Sequence, residues 1–474
     1  MSDRYAGLAL GRPRLDIPRL LPGLIIAGAA ALTGALAGLR PELAIVLALA
    51  AGFGFLVFAD LAAGVAVFTL LTFFELLPST SGPALSFTKV AGLVLALSWL
   101  ATIASRRDSA NTEFFRAHTA TAWFLAAFLT WAGFSAIWAE SPSGAIEAVY
   151  RFALNATLFL IVFTAIGTRR DAIRVFAAFV IGATAAAAYG FAFEVQPAAY
   201  GEAARLSGES QNANELASTL VAALALSVGL VAITRRSPML RLATVLAAAI
   251  ATYGILLTVS RAGVIALGVT LIAGVALAGR WRGRVVVVAV SIAAATAIYF
   301  AAIAAPEVRE RVTEPEGGTG RTDIWTVGWR MVEAQPVHGV GAGNFEVSSI
   351  HYLLAPGALQ RDEFIVDTPE VAHNVYLGVL AELGIVGLVL FLGLVGSVLV
   401  VGLRAAREFN RSGDLEMEIL SRAYVAALLG FLASVFFASD EFKKQLWLLL
   451  SMSPALFAIA VRSRRDRNDA AGDR

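Results

Sequence analysis

Runs of about 20 apolar residues recur along nearly the whole chain, and a bilayer core roughly 30 Å thick takes about that many residues per helical span. Backbone N–H and C=O groups find no water in such a core, so each run must close its own hydrogen bonds as a helix or pair within a closed barrel. The runs are rich in Ala, Leu, Val and Gly without a two-residue alternation, which selects helices. Composition agrees: at 58% hydrophobic and 15% charged, with mean hydropathy +0.74, the 474 residues have too little polar surface to cover a soluble globule. The expected fold is therefore an all-α polytopic transmembrane helical bundle.

Spans are expected near 19–38, 41–59, 61–78, 86–104, 119–138, 146–166, 172–193, 213–233, 239–258, 262–279, 285–304, 373–402, 420–438 and 442–460. That makes about fourteen, or as few as twelve if the crowded first three merge. The chain then divides into a bundle over 1–304, one large hydrophilic segment with short helices over 305–371, and a C-terminal bundle over 372–474. Arginine placement gives the sidedness, because cytoplasmic loops are enriched in Lys and Arg. With the N-terminus inside, the inside segments carry the clusters that begin at Arg12, Arg106, Arg169, Arg235, Arg280, Arg404 and Arg462. Both termini are thus expected in the cytoplasm, and 305–371 outside. The first apolar run, Leu20 to Leu39, has span length and leads directly into another, so it reads as a span and not as a cleaved signal. The chain contains no Cys, which excludes a disulfide framework and a thiol nucleophile. No internal repeat is visible, which disfavours the inverted-repeat transporters. The basic tail Arg462–Arg467 reads as a positive-inside anchor, so no nucleic-acid partner is expected.

The polar residues expected at the outer membrane boundary include three arginines, against the general bias: Arg205 after the seventh span, Arg261 in Ser260-Arg-Ala-Gly263, and Arg321 in the large segment. Each alone could snorkel or pair locally. Three together favour an anionic ligand, because guanidinium matches phosphate oxygens bidentately and keeps its charge. Residues 322–335 read as a surface helix with Thr322 as N-cap, Trp325 and Trp329 one turn apart, and Pro336 as its stop. His338-Gly-Val-Gly-Ala-Gly-Asn-Phe345 superficially resembles a dinucleotide loop, but without a βαβ context it reads as a flexible turn packing Phe345. His338, His351 and His373 lie in or beside this segment without zinc-ligand spacing, and no metal is expected. His373 follows Asp367-Thr-Pro-Glu370, where Thr368 can cap and Pro369 can open a helix. It is expected one turn into that helix, where the positive helix end disfavours imidazolium and keeps the ring able to accept a proton.

His373-Asn374, then nine residues, then Gly384-Ile-Val-Gly387 resembles the His-Asn-x9-Gly-x-x-Gly signature of the O-antigen ligases, within the wider group of O-antigen polymerases and protein O-oligosaccharyltransferases. Asn212-Ala-Asn214, Ser260-Arg261, Gly320-Arg321 with Trp325, and Gly339-Val-Gly-Ala-Gly343 extend the resemblance over roughly 200–400. Trp138-Ala-Glu-Ser-Pro142 looks like an outer loop of the same family. The resemblance implies an inverting glycosyltransferase of the GT-C type, independent of metal and cofactor. It also implies a bacterial inner-membrane location, a glycan donor on undecaprenyl diphosphate and a glycolipid or glycan acceptor at the outer face, with membrane lipids as surroundings.

By the resemblance, Arg261 and Arg321 hold the diphosphate and His373 is the base, with Arg205 as a further cation. Asn212, Asn214 and Asn374 are candidate substrate contacts, and so is Lys89 near the outer start of the fourth span. Glu382 lies mid-span and reads as a helix–helix hydrogen bond. The acceptor separates a ligase from a polymerase and from an oligosaccharyltransferase, and the signature favours the ligase. A lipid-glycan flippase or exporter would also need external cations, but with ionisable residues at midplane in many spans, which these spans lack.

Overall fold

The computed structural model describes residues 28–74, 87–105, 114–193, 195–196, 204–208, 212–313, 321–353 and 370–472, with gaps between 29 and 39. Among the described residues, ten helices of 11 residues or more come from the N-terminal part: α1 Pro41–Ala59, α2 Leu61–Leu71, α3 Phe87–Ser105, α4 Thr119–Phe134, α5 Pro142–Ala165, α6 Arg169–Phe193, α7 Ala213–Ile233, α8 Pro238–Leu257, α9 Arg261–Leu277 and α10 Arg282–Ile298. Four follow: α11 Arg321–Ala334, α12 Val375–Arg411, α13 Leu415–Ser434 and α14 Lys444–Gly472. Among the described residues nine helices are long and apolar enough to cross a membrane, and four shorter apolar ones include α2 and α9. Every expected span from 41–59 onward coincides with a helix, and the first, 19–38, lies largely outside the described residues. Some bounds differ. The third ends at Leu71, and the twelfth runs on to Arg411. A single two-residue pairing, β1 Val195–Gln196 against β2 Arg205–Leu206, is the strand structure among the described residues.

The bundle packs closely because small residues face one another. A Cβ on Gly263 of α9 would lie 2.7 Å from the Cβ of Ala217 on α7, so those helix backbones meet as small-residue contacts in membranes do. Aromatic rings fill the wider gaps, as where Phe128 of α4 meets Phe152 of α5 edge-on at 5.0 Å.

The charged groups gather at the two ends. At one, Arg174 pairs with Asp60 at 3.1 Å, Arg169 with Asp414 at 3.5 Å and with Glu416, and Arg464 with Glu408 at 2.7 Å. These contacts bring together the arginine clusters that the sequence assigns to one face. At the other end lie the starts of α7, α9, α12 and α14.

α12 is broken at Gly384, whose φ of +66° is left-handed. A break inside an apolar span leaves carbonyls without helical partners, and each must be satisfied by protein. Here the Gly339-Val-Gly-Ala-Gly343 stretch supplies the donors: Val340 N–H donates to Ala381 O at 3.0 Å and Gly341 N–H to Glu382 O at 2.8 Å. Trp131 Nε1 donates to Leu383 O at 2.9 Å, and Ile385 N–H to Pro336 O at 2.9 Å. The glycine-rich stretch is therefore a docked brace for the broken helix, where the sequence suggested a flexible turn. The Glu382 side chain completes the join by accepting from the Gly343 and Phe345 amides at 2.8 and 3.2 Å.

Candidate functional site

Three of the four helix starts at this end, those of α7, α9 and α12, are each closed by a polar residue. Asn212 Oδ1 accepts from the amides of Asn214 and Glu215 at the start of α7, and Ser260 Oγ from Gly263 at the start of α9. Asn374 Oδ1 accepts from Tyr376 and Leu377 at the start of α12. Asn212 and Asn374 are thus engaged as caps. Arg261 is the first residue of α9. Positive ends of several helices directed at one region favour an anion there.

Side chains tie these starts into one network. Asn214 Oδ1 accepts from Ser260 Oγ at 2.8 Å and from Arg205 Nη2 at 3.1 Å, while Arg205 Nε donates to Thr258 O at 3.0 Å. Glu215 pairs with Lys443 in the loop before α14. Ser439 of the same loop accepts from the His373 amide at 2.8 Å. The two sequence-distant motifs Asn212-Ala-Asn214 and Ser260-Arg261 therefore meet directly, and the 438–443 loop links them to His373. Lys89 stands exposed at the start of α3, which packs on α1, α2 and α5.

His373 sits between loop and span, just before the Asn374 cap and not one turn into the helix as the sequence suggested, because the helix begins at Val375. The expected caps Thr368 and Pro369 lie outside the described residues. Arg321 opens α11, one residue earlier than expected. Four residues on, Trp325 lies on the same helical face and donates from Nε1 to Ala372 O at 3.0 Å. That bond holds the start of α11 against His373, and the Arg321 charge acts on the imidazole. His373 Nε2 lies 3.1 Å from Glu370 Oε2. Burial first and Arg321 second push the imidazole below the ordinary histidine range, with Glu370 opposing. Its side chain keeps 30% exposure, so a substrate can reach it.

Two non-glycine residues among those described have positive φ, Val259 at 47° and His373 at 46°. Each immediately precedes a helix cap of the network. For a β-branched residue such as Val259 this conformation is an outlier, and strain of about 1–3 kcal/mol per residue is characteristic of sites the surrounding structure holds rigid.

The other two histidines of the segment serve the scaffold. His351 Nε2 meets Glu140 Oε1 at 2.8 Å, and His338 Nδ1 meets Gly339 O at 2.8 Å. Ser348 Oγ also donates to Glu140, at 3.0 Å, and Asn344 exchanges hydrogen bonds with the Ser141 backbone at 2.7 and 3.2 Å. Trp138-Ala-Glu-Ser-Pro142 thus docks the segment onto the bundle.

Sequence reasoning missed Glu370 as a partner of His373 and missed the whole loop Ser439-Asp-Glu-Phe-Lys-Lys444. The signal was available: a run of charges between two spans, at an end where other loops have few. Asp440 is buried there, and burial followed by the Glu215 charge raises its carboxyl to about 7, with Lys443 opposing.

The helices form a multi-pass membrane bundle, at one end of which Arg321 and His373 interact. The family model described as O-antigen ligase matches residues 246–392, and this similarity supports a membrane glycosyltransferase of ligase or polymerase type in general. The match takes in Arg261, Arg321, His373 and the broken helix at Gly384, while Lys89, Arg205, Asn212 and Asn214 precede it. Among curated proteins none matches the chain.

Proposed function

We propose that the protein transfers a glycan from undecaprenyl diphosphate to an acceptor hydroxyl at the outer face of the bacterial inner membrane, in the manner of an O-antigen ligase. The observation that carries this reading is the interaction of Arg321 with His373, a fixed cation that together with burial holds the imidazole below the ordinary histidine range. The acceptor oxygen attacks the anomeric carbon, the bond from that carbon to the phosphate oxygen breaks, and the electron pair leaves with the diphosphate. Arg261 and Arg321 stabilise the charge that grows on this leaving group. With Nε2–H donating to Glu370, His373 Nδ1 takes the acceptor proton, and Glu370 stabilises the imidazolium so formed. Arg205 and Asn214 hold the Ser260–Arg261 turn in place.

The test is to incubate purified protein with a lipid-linked glycan and with either a glycolipid acceptor or a second lipid-linked repeat unit. Glycan on the glycolipid supports the ligase reading, chain extension makes the protein a polymerase, and no product with either refutes both. In the same assay Arg261→Ala or Arg321→Ala should lower turnover on the order of 10²–10³-fold, as loss of a group that stabilises transition-state charge does. Lys should rescue poorly because it lacks the planar fork. Folded Ala variants with near wild-type turnover would remove these residues from the mechanism.

Sidedness is open to a direct check, since the chain contains no Cys. Single cysteines at the exposed positions Ser143 and Val347 should react with a membrane-impermeant thiol reagent on intact spheroplasts, and cysteines at Arg236 and Asn410 should not. The opposite pattern would reverse the topology and put the candidate site in the cytoplasm.

A further inference from the structure

The arginine-rich end carries a feature that glycan transfer does not use. The helix Gly279–Ile303 is almost wholly exposed along its length, and α10, which forms most of it, leans on α9. Between it and the bundle runs an open apolar groove lined by Leu224, Val228, Leu271, Trp281, Val285 and Ile292 among others. From Trp281 to Ile292 the helix rises about 16 Å, close to half of a bilayer core of about 30 Å. The groove thus has the length of one acyl chain in one leaflet.

Its mouth is strongly basic. The guanidinium carbons of Arg235, Arg280 and Arg284 lie 5.8, 5.7 and 4.9 Å from the centre of the Trp281 ring. Arg280 and Arg422 share one carboxylate, Glu418. Among the described residues neither Arg235 nor Arg284 has a carboxylate within ion-pair distance, and Trp281 Nε1 is buried without a hydrogen-bond partner. Cations in excess over acids, an indole donor without an acceptor, and an apolar groove running from them toward the midplane form a headgroup-and-chain pattern.

We propose that this groove is a binding site for one anionic phospholipid of the arginine-side leaflet. Its phosphate lies against Arg235 and Arg284, and one acyl chain fills the space between Gly279–Ile303 and the bundle. The lipid then joins the exposed helix to α7 and α13. The proposal is independent of the transfer reaction at the other end.

The test uses the full chain in nanodiscs, with the Trp281 emission isolated as the difference between wild type and Trp281→Phe. Phosphatidylglycerol brominated on the upper acyl chain should quench that component, and brominated phosphatidylcholine should need a mole fraction on the order of 10–30 times higher, as two arginines near a membrane surface imply. Arg235→Ser with Arg284→Ser should erase the difference between the lipids. Gly274→Leu, which plugs the groove and leaves the cations, should abolish the quenching, and inorganic phosphate should not compete. Equal quenching by both lipids, quenching unchanged in Gly274→Leu, or no quenching of the Trp281 component would each overturn the proposal. So would a disulfide-linked dimer formed in wild-type background through a cysteine at Val288, since a second copy would then occupy the groove.

Discussion

His373→Ala should lower turnover by about 10²–10⁴-fold with donor affinity nearly unchanged, the loss expected when a general base is removed and binding groups are kept. His338→Ala and His351→Ala should do far less, because those rings hold Gly339 and Glu140 in the scaffold. The pH profile gives a second reading of the same group. A base must be neutral, and burial together with Arg321 lowers the pKa of His373, so the rate should fall only as pH drops below about 6.5. Glu370 raises that pKa, so Glu370→Gln should move the acid limb to still lower pH. A well-folded His373→Ala protein with most of its rate at saturating donor and acceptor would sink the assignment. So would an acid limb that does not respond to Glu370→Gln.

Gly384→Ala should cost on the order of 2–5 kcal/mol of stability, the sum of a left-handed backbone penalty and overpacking. A Cβ there would lie 2.1 Å from Val337 O, a backbone atom that cannot rotate away. The four bonds that close the break, from Val340, Gly341 and Trp131 and to Pro336, depend on the same geometry. Gly396 in the same helix has nothing within 4 Å of its Cβ position, so Gly396→Ala should keep or slightly raise stability. Thermal unfolding of the two variants in detergent checks this, and a Gly384→Ala protein that unfolds with wild type would show that the break is not required.

The reason for the Gly-x-x-G part of the signature was not visible in the sequence. Gly384 breaks the helix and Gly339-Val-Gly-Ala-Gly343 fills the gap. The two glycine stretches lie about forty positions apart, and nothing local to either specifies the other. Glu382 was read as a helix–helix hydrogen bond, and its carboxylate instead accepts from two loop amides.

Span positions and the grouping of arginines at one end were legible in the sequence, because lipid imposes an apolar length on every span and because charge bias acts on each loop separately. Those constraints are local, and one chain suffices to read them. Which outer residues touch was decided only by the tertiary structure: Asn214 with Arg205 and Ser260, Lys443 with Glu215, Ser439 with His373, and Trp325 holding the start of α11 beside His373. Depressing the His373 pKa likewise took burial and the charge of Arg321, 52 positions away in the chain, and both arise only when the helices pack.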